Sequence, residues 1–132
     1  MNPSSEDVKD ILQESQYGLD LVYATNLFIA EMPETPNTCV AIYDSGGLDI
    51  SVNDIENPTV SVQVRGEIGG YTDCQDLARS VRDVLHEFTN ETYNLTRYIQ
   101  IYGMGDIIPL GFDRNQRPKV SMNFRINRTP SS

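Results

Sequence analysis

The stretch Lys119-Val-Ser-Met-Asn-Phe-Arg-Ile-Asn-Arg128 alternates apolar and polar residues almost without a break. Val120, Met122, Phe124 and Ile126 point one way; Lys119, Ser121, Asn123, Arg125 and Asn127 point the other. A period of two over that length is a strand with one wet face and one buried face. Thr59 to Arg65 repeats the pattern, with Val60, Val62 and Val64 inward and Thr59, Ser61, Gln63 and Arg65 outward. The fold must therefore bury one face of a sheet.

What covers that face is also written in the chain. Cys74, Leu77, Ala78, Val81, Val84, Leu85 and Phe88 recur at helical spacing, behind a capping box of Thr72 and Gln75. This predicts the main helix, its apolar stripe turned to the core. Ser4 or Ser5 reads as the N-cap of a shorter helix, with Glu6 and Asp7 in its first turn and Val8, Ile11 and Leu12 as its stripe. Gly18 ends that segment. Thr25–Glu31 and Thr38–Tyr43 read as strands joined by a stiff connection, because Pro33 and Pro36 leave no room for a ladder between them. Thr96–Tyr102, with Ile99 and Ile101 inward, is the next strand, and Gly103-Met-Gly105 turns it into Asp106–Phe112. That strand keeps Ile108, Leu110 and Phe112 on one face, and Pro109 marks it as an edge or a bulge. Asp113–Pro118 turns into the terminal strand, and residues 129–132 read as a frayed tail.

The sum is an α+β fold, a largely antiparallel sheet of about five to six strands with two helices on one face. At 132 residues it is a single domain, large enough to bury roughly 65–70% of its unfolded surface without disulfides or metals. Within it, residues 1–18 hold the N-terminal helix and 44–57 form a mobile loop. Gly46 and Gly47 lower the barrier to motion there, Leu48, Ile50 and Val52 offer a face to bury on contact, and Asp44 joins them as a candidate interface residue.

Chemistry is sparse. Cys39 and Cys74 sit among apolar neighbours, away from any CxxC pair, and read as small buried hydrophobes. His86 stands alone; Ser80 and Asp83 are near it in sequence, but no nucleophile elbow supports a triad. No spacing suits zinc or calcium. Gly66-Glu-Ile-Gly-Gly70 leads from strand to helix without the spacing or the Lys-Ser/Thr of a phosphate loop. Neither catalytic residues, nor a metal, nor a cofactor is expected. No apolar run approaches the ~20 residues of a membrane span, and the acidic N-terminus lacks a signal core. The glycosylation patterns at Asn90, Asn94 and Asn127 therefore read as chance.

Charge is uneven. Residues 1–56 carry eleven acids and one base, a net of −10, and residues 57–132 carry eight acids and nine bases, a net of +1; together they give the chain's −9. Such a chain is a poor nucleic-acid binder, since gripping phosphates needs clustered Lys and Arg. A surface that sits near DNA without holding it is one reading, a merely solubilising surface the other.

Six segments carry a resemblance. They are Thr25-Asn-Leu-Phe-Ile-Ala-Glu-Met-Pro33, Cys39-Val-Ala-Ile-Tyr-Asp-Ser-Gly-Gly47, Pro58-Thr-Val-Ser-Val-Gln-Val-Arg-Gly66, Leu85-His-Glu-Phe-Thr-Asn-Glu91, Gly105-Asp-Ile-Ile-Pro-Leu-Gly-Phe-Asp113 and Arg117-Pro-Lys-Val-Ser-Met-Asn-Phe-Arg-Ile126. In this order they span most of the chain, which resembles the tail-terminator, minor capsid or tail-completion proteins of long-tailed bacteriophages. Gln116 departs from the pattern, where a glycine is expected after Asn115. The resemblance implies a structural virion protein rather than an enzyme. It implies a homohexameric ring at the neck that caps the tail tube, stops its polymerisation and docks the head-tail connector (stopper) protein. It further implies assembly in the host cytoplasm, with DNA passing through unbound. Asp49, Asp54 and Glu56 are the expected channel-facing acids. The rivals are another neck or tube protein, a small intracellular enzyme using His86 and Asp83, and an adaptor domain.

Overall fold

A computed structural model describes residues 2–48 and 55–130. Two helices and seven strands follow one another as α1 (Ser4–Leu12), β1 (Leu27–Ile29), β2 (Cys39–Leu48), β3 (Asn57–Arg65), α2 (Tyr71–Leu85), β4 (Phe88–Tyr93), β5 (Thr96–Gly103), β6 (Ile108–Phe112) and β7 (Pro118–Pro130). They form one sheet in the order β1-β2-β3-β7-β5-β4, with β6 also on β7. Every pair is antiparallel except β1 with β2. The class is α+β, with seven strands where the sequence suggested five to six.

The alternating strands meet as their pattern demands. Val60, Val62 and Val64 of β3 stand opposite Phe124, Met122 and Val120 of β7, and none of the six exceeds 2% exposure. Val8, Ile11 and Leu12 of α1 join the same buried cluster as Cys74, Ala78, Val81 and Leu85 of α2. α1 packs against β1, β2 and β3, and α2 against β3, β5 and β7. β7 is the organising strand: β3 pairs with residues 119–125 along one edge, while β6 and β5 share the other.

That sharing corrects the expected turn at Gly103-Met-Gly105. β5 pairs with Phe124–Pro130 and β6 with Pro118–Ser121, so the two lie end to end along one edge and never pair with each other. Two bulges also shift the expected phases. One lies between Tyr98 and Gln100, so fully buried Tyr98, rather than half-buried Ile99, joins Ile101 in the core. The other lies between Pro109 and Gly111, where Gly111 takes a left-handed φ of 85°. Ile108 then stands opposite Ser121 and Phe112 opposite Pro118, so Ile108 and Phe112 occupy opposite faces rather than one.

Boundaries move too. β1 is only three residues long. Phe88, expected on the helix, opens β4. Neither helix has the expected side-chain cap: Gln75 donates to the Tyr71 hydroxyl instead of closing a capping box. Thr129 and Pro130 pair with Arg97 and Thr96, so the strand continues where a frayed tail was expected. The expected loop at 44–57 is strand at both ends, with Asp44, Gly47 and Leu48 paired to Val60, Pro58 and Asn57. Gly47 belongs to a bulge in that pairing, and a Cβ there would lie 2.2 Å from the Asn57 carbonyl oxygen.

The β6–β7 turn resolves the departure at Gln116. The Asp113 carboxylate accepts from the backbone N–H of Asn115 (2.9 Å) and of Arg117 (3.0 Å), and from Arg117 Nε (2.9 Å). Chiefly the Arg117 amide, then the Arg117 side chain and the Asn115 amide, hold its pKa below the usual carboxylate range. Gln116 takes a φ of 63°, the conformation for which glycine is the default. Gln116→Gly is expected to raise stability by about 0.5–1 kcal/mol, since a left-handed non-glycine residue costs ~1–2 kcal/mol and the extra freedom of the unfolded glycine offsets part of the gain. Urea unfolding checks it; an unchanged or lowered midpoint means the turn carries no strain.

Candidate assembly surface

Three sets of side chains shape the surface, and the sequence pointed to parts of each. The first secures α1. With no cap of its own, α1 receives one from β2: Ser5 donates to Asp44 through its backbone N–H (3.0 Å) and its hydroxyl (2.6 Å). A carboxylate at a helix N-terminus also complements the macrodipole. Deeper in, fully buried Asp7 accepts from the Tyr98 hydroxyl and from Asn94 Nδ2 (2.6 Å). Burial and the Asp7 carboxyl push the Tyr98 phenol pKa upward. Arg128 approaches the same hydroxyl at 3.4 Å, donates to the Asn2 carbonyl at 2.8 Å, and meets Glu56 Oε1 with Nε at 3.0 Å and Nη2 at 2.8 Å. Glu56 and Arg128 are bridged through their backbones as well.

This bears on the expected assembly residues. Asp44 serves as the cap of α1, and Gly46 and Gly47 lie within β2. Leu48 pairs through its backbone with Asn57. Glu56, expected among the channel-facing acids, pairs its charge with Arg128. Asp49, Ile50, Val52 and Asp54 lie outside the described residues.

The second set is a clamp on the connection from β1 to β2. The Pro33–Asn37 segment has no ladder to satisfy its carbonyls, as its two prolines foretold. Arg65 Nε donates to the Asn37 carbonyl at 3.0 Å, and its Nη2 donates to those of Pro33 (2.5 Å) and Pro36 (2.7 Å). Arg117 Nη1 donates to the Glu34 carbonyl at 2.6 Å. Arg65 and Arg117 are each 3% exposed. The alternation placed Arg65 on the outward face correctly, but that end of the face is covered by the connection. The clamped segment and β1 enclose a groove of about 530 Å³, walled by Tyr23, Phe28, Ile29, Pro33 and Pro36, with Glu31 also in the wall.

The third set is β6 itself. All five of its residues are exposed, and Ile108, Leu110 and Phe112 leave 45%, 48% and 61% of their surface open. These are three large apolar side chains exposed within five residues, with Ile108 and Phe112 on opposite faces of the strand. The sequence identified these residues and marked an edge or a bulge at Pro109, but placed all three on one face.

The residues weighed for chemistry are engaged elsewhere. His86 Nδ1 accepts from the Gly103 backbone N–H at 2.9 Å, and the Ser80 hydroxyl donates to the Asp76 carbonyl at 3.0 Å. Cys39 and Cys74 are buried free thiols, and burial pushes the Cys74 pKa up to about 11. Among the described residues no group of three or more His, Cys, Asp or Glu gathers at a metal-binding distance. No helix there is long and apolar enough to cross a membrane.

Comparison with known proteins adds what the side chains alone do not give. A family model described as bacteriophage tail terminator protein matches residues 12–130. Among solved structures, a chain from the virion of a native gene transfer agent particle superposes with a TM-score of 0.72 at 13% sequence identity, over 94% of this chain and 92% of that one. The likeness at that identity is one of fold. No match was found among curated proteins.

Proposed function

We propose a tube-capping role for this protein, on the premise that the chain belongs to the bacteriophage tail terminator family. It is a structural protein of the phage tail and a component of the virion. In our reading, six copies close into a ring at the head-proximal end of the tail tube. The ring halts tube polymerisation, offers its far side to the head-tail connector protein, and lets DNA pass without specific binding. Assembly takes place in the host cytoplasm, and the ring remains at the neck.

The observation that carries this reading is the family match over nearly the whole chain. Two features are in keeping with it. The apolar residues of β6 stand open to a partner, as a subunit built for assembly requires. The chain's net charge of −9 opposes retention of a polyanion, and like charges repel within the ~8–10 Å that physiological salt leaves unscreened. A ring of identical subunits joined head to tail uses two different patches on each copy.

Electron cryo-microscopy of the head-proximal tail end tests the role. One ring of six copies between tube and connector is the expected result. Another copy number sinks the hexamer, and density within the connector or along the tube moves the chain to the stopper or tube class. The same reconstruction tests whether Asp49 and Asp54 face the channel, as the acidic half suggests, or the outer wall.

A further inference from the structure

We propose that Leu95, at the tip of the β4–β5 hairpin, is an anchor that inserts into an apolar socket rimmed by lysine or arginine on a different protein of the particle. The inference rests on the chain being a structural component of the virion, and does not depend on how many copies form a ring.

The tip is held in a conformation that its sequence disfavours. β4 ends at Tyr93 and β5 begins at Thr96, and these two residues pair, so Asn94 and Leu95 alone make the turn. Their φ angles are both positive, 51° and 64°, the mark of the turn whose twist matches a hairpin. Asparagine tolerates the left-handed region at the first position. The second is ordinarily glycine, and a bulky side chain such as leucine rarely enters it. At 78% exposure, Leu95 is also the most open large hydrophobic among the described residues. A lone exposed leucine needs no explanation. One that also sits where glycine would be at ease gains nothing inside the fold, and strain kept against stability gathers at contact sites.

The base of the tip is braced. Asn94 Nδ2 donates to Asp7 at 2.6 Å and to Asp10 at 2.9 Å, and the Tyr93 hydroxyl donates to Glu14 at 3.2 Å. The hairpin is thereby tied to α1 and to the residues just after it. A side chain presented from a fixed base loses little freedom on binding, which favours the contact.

Charge around the tip indicates what it meets. Glu14 and Glu91 are exposed and Asp10 is half-buried. Lys9, the base on α1, is already shared between Glu6 and Asp10 at 3.2 Å each, and Arg97 donates to Asn90 within the same hairpin. An acidic rim around an apolar tip calls for a basic rim around an apolar socket. A second copy is a poor source of one. The chain carries a net charge of −9, and Arg65, Arg117 and Arg128 of its ten bases are buried.

Leu95→Gly separates the contact from the fold. The urea midpoint of the purified chain should hold or rise, while the yield of complete particles should drop at least tenfold. A lowered midpoint shows that the fold itself needs the leucine, a normal yield shows that assembly does not, and either overturns the proposal. Leu95→Met keeps an apolar tip and should hold the yield within threefold of the parent; a loss as large as that of glycine overturns the anchor. To find the partner, a Leu95→Cys chain is labelled with benzophenone maleimide, Cys39 and Cys74 being 0% and 1% exposed. It is added to tails that lack the chain and irradiated once particles are complete. A product joining this chain to one other particle protein is expected, and Glu91→Lys in the same chain should cut it at least threefold. A product of two copies of this chain, no product in particles that contain it, or a product indifferent to Glu91→Lys overturns the proposal. A reconstruction with other than six copies defeats the hexamer alone, which keeps the two failures apart.

Discussion

Arg128→Met is expected to lower the unfolding free energy by about 3 kcal/mol, towards the low end of the ~3–5 kcal/mol for removing one partner of a buried ion pair. Arg128 is 7% exposed and holds Glu56, the Asn2 carbonyl and the Tyr98 hydroxyl together. Methionine fills much of the volume but leaves Glu56 without its cation and the Asn2 carbonyl without a donor. The loss stays near the lower bound because the Glu56 side chain keeps 28% of its surface open, so water partly solvates the abandoned carboxylate. Arg128→Met combined with Glu56→Gln should recover part of the loss, since the uncompensated charge is then gone. Urea unfolding of Arg128→Met, Glu56→Gln and the double variant checks the cycle. A single-variant loss below about 1 kcal/mol would show that the pair contributes no more than an exposed surface bridge.

The centre of the fold was legible and its periphery was not. Val60, Val62 and Val64 against Val120, Met122 and Phe124 could be read directly, because two buried strands with one wet face each leave an unbroken period of two. The α2 stripe was equally plain, since Cys74, Ala78, Val81 and Leu85 all reached the core. β4 escaped because Thr89–Thr92 are exposed on an edge, where no hydrophobic pattern is imposed. The bulges beside Ile99 and Leu110 escaped for a different reason: one inserted residue inverts every later side chain, and the inversion leaves no compositional trace.

The candidate surface follows the same division. Ile108, Leu110 and Phe112 were picked out, yet an apolar strand that faces a partner reads the same as one that faces the core. Asp44 and Glu56 were noticed as charges, but their partners Ser5 and Arg128 lie 39 and 72 residues away. Contacts across such distances depend on strand order, which one sequence does not reveal. Asp44 shows the consequence: the cap that α1 lacks locally comes from another strand. The buried arginines left a faint signal in the paired prolines, whose carbonyls need donors that no ladder supplies.

Arg65→Lys is expected to destabilise the protein by about 3 kcal/mol and to loosen the groove beside β1, although the charge is kept. Hydrogen bonds from a charged donor contribute roughly 1.5–3 kcal/mol each, and Arg65 makes three, to the carbonyls of Pro33, Pro36 and Asn37. The planar guanidinium reaches these acceptors from two of its nitrogens at once. A lysine ammonium is a single point on a flexible stem, so it can serve part of the set while the remaining carbonyl stays buried and unpaired. The ammonium also carries the greater hydration penalty at a site only 3% exposed. Hydrogen exchange at the Ala30 and Val40 amides, which bond the Ile42 and Asn26 carbonyls at 2.9 Å on either side of the segment, should quicken more than at the β3–β7 ladder. Arg117 still holds the Glu34 carbonyl in the variant, so the connection should loosen locally rather than detach. Unchanged exchange at those amides, with stability within 1 kcal/mol of the parent, would show that the clamp is redundant and that the prolines alone shape the groove.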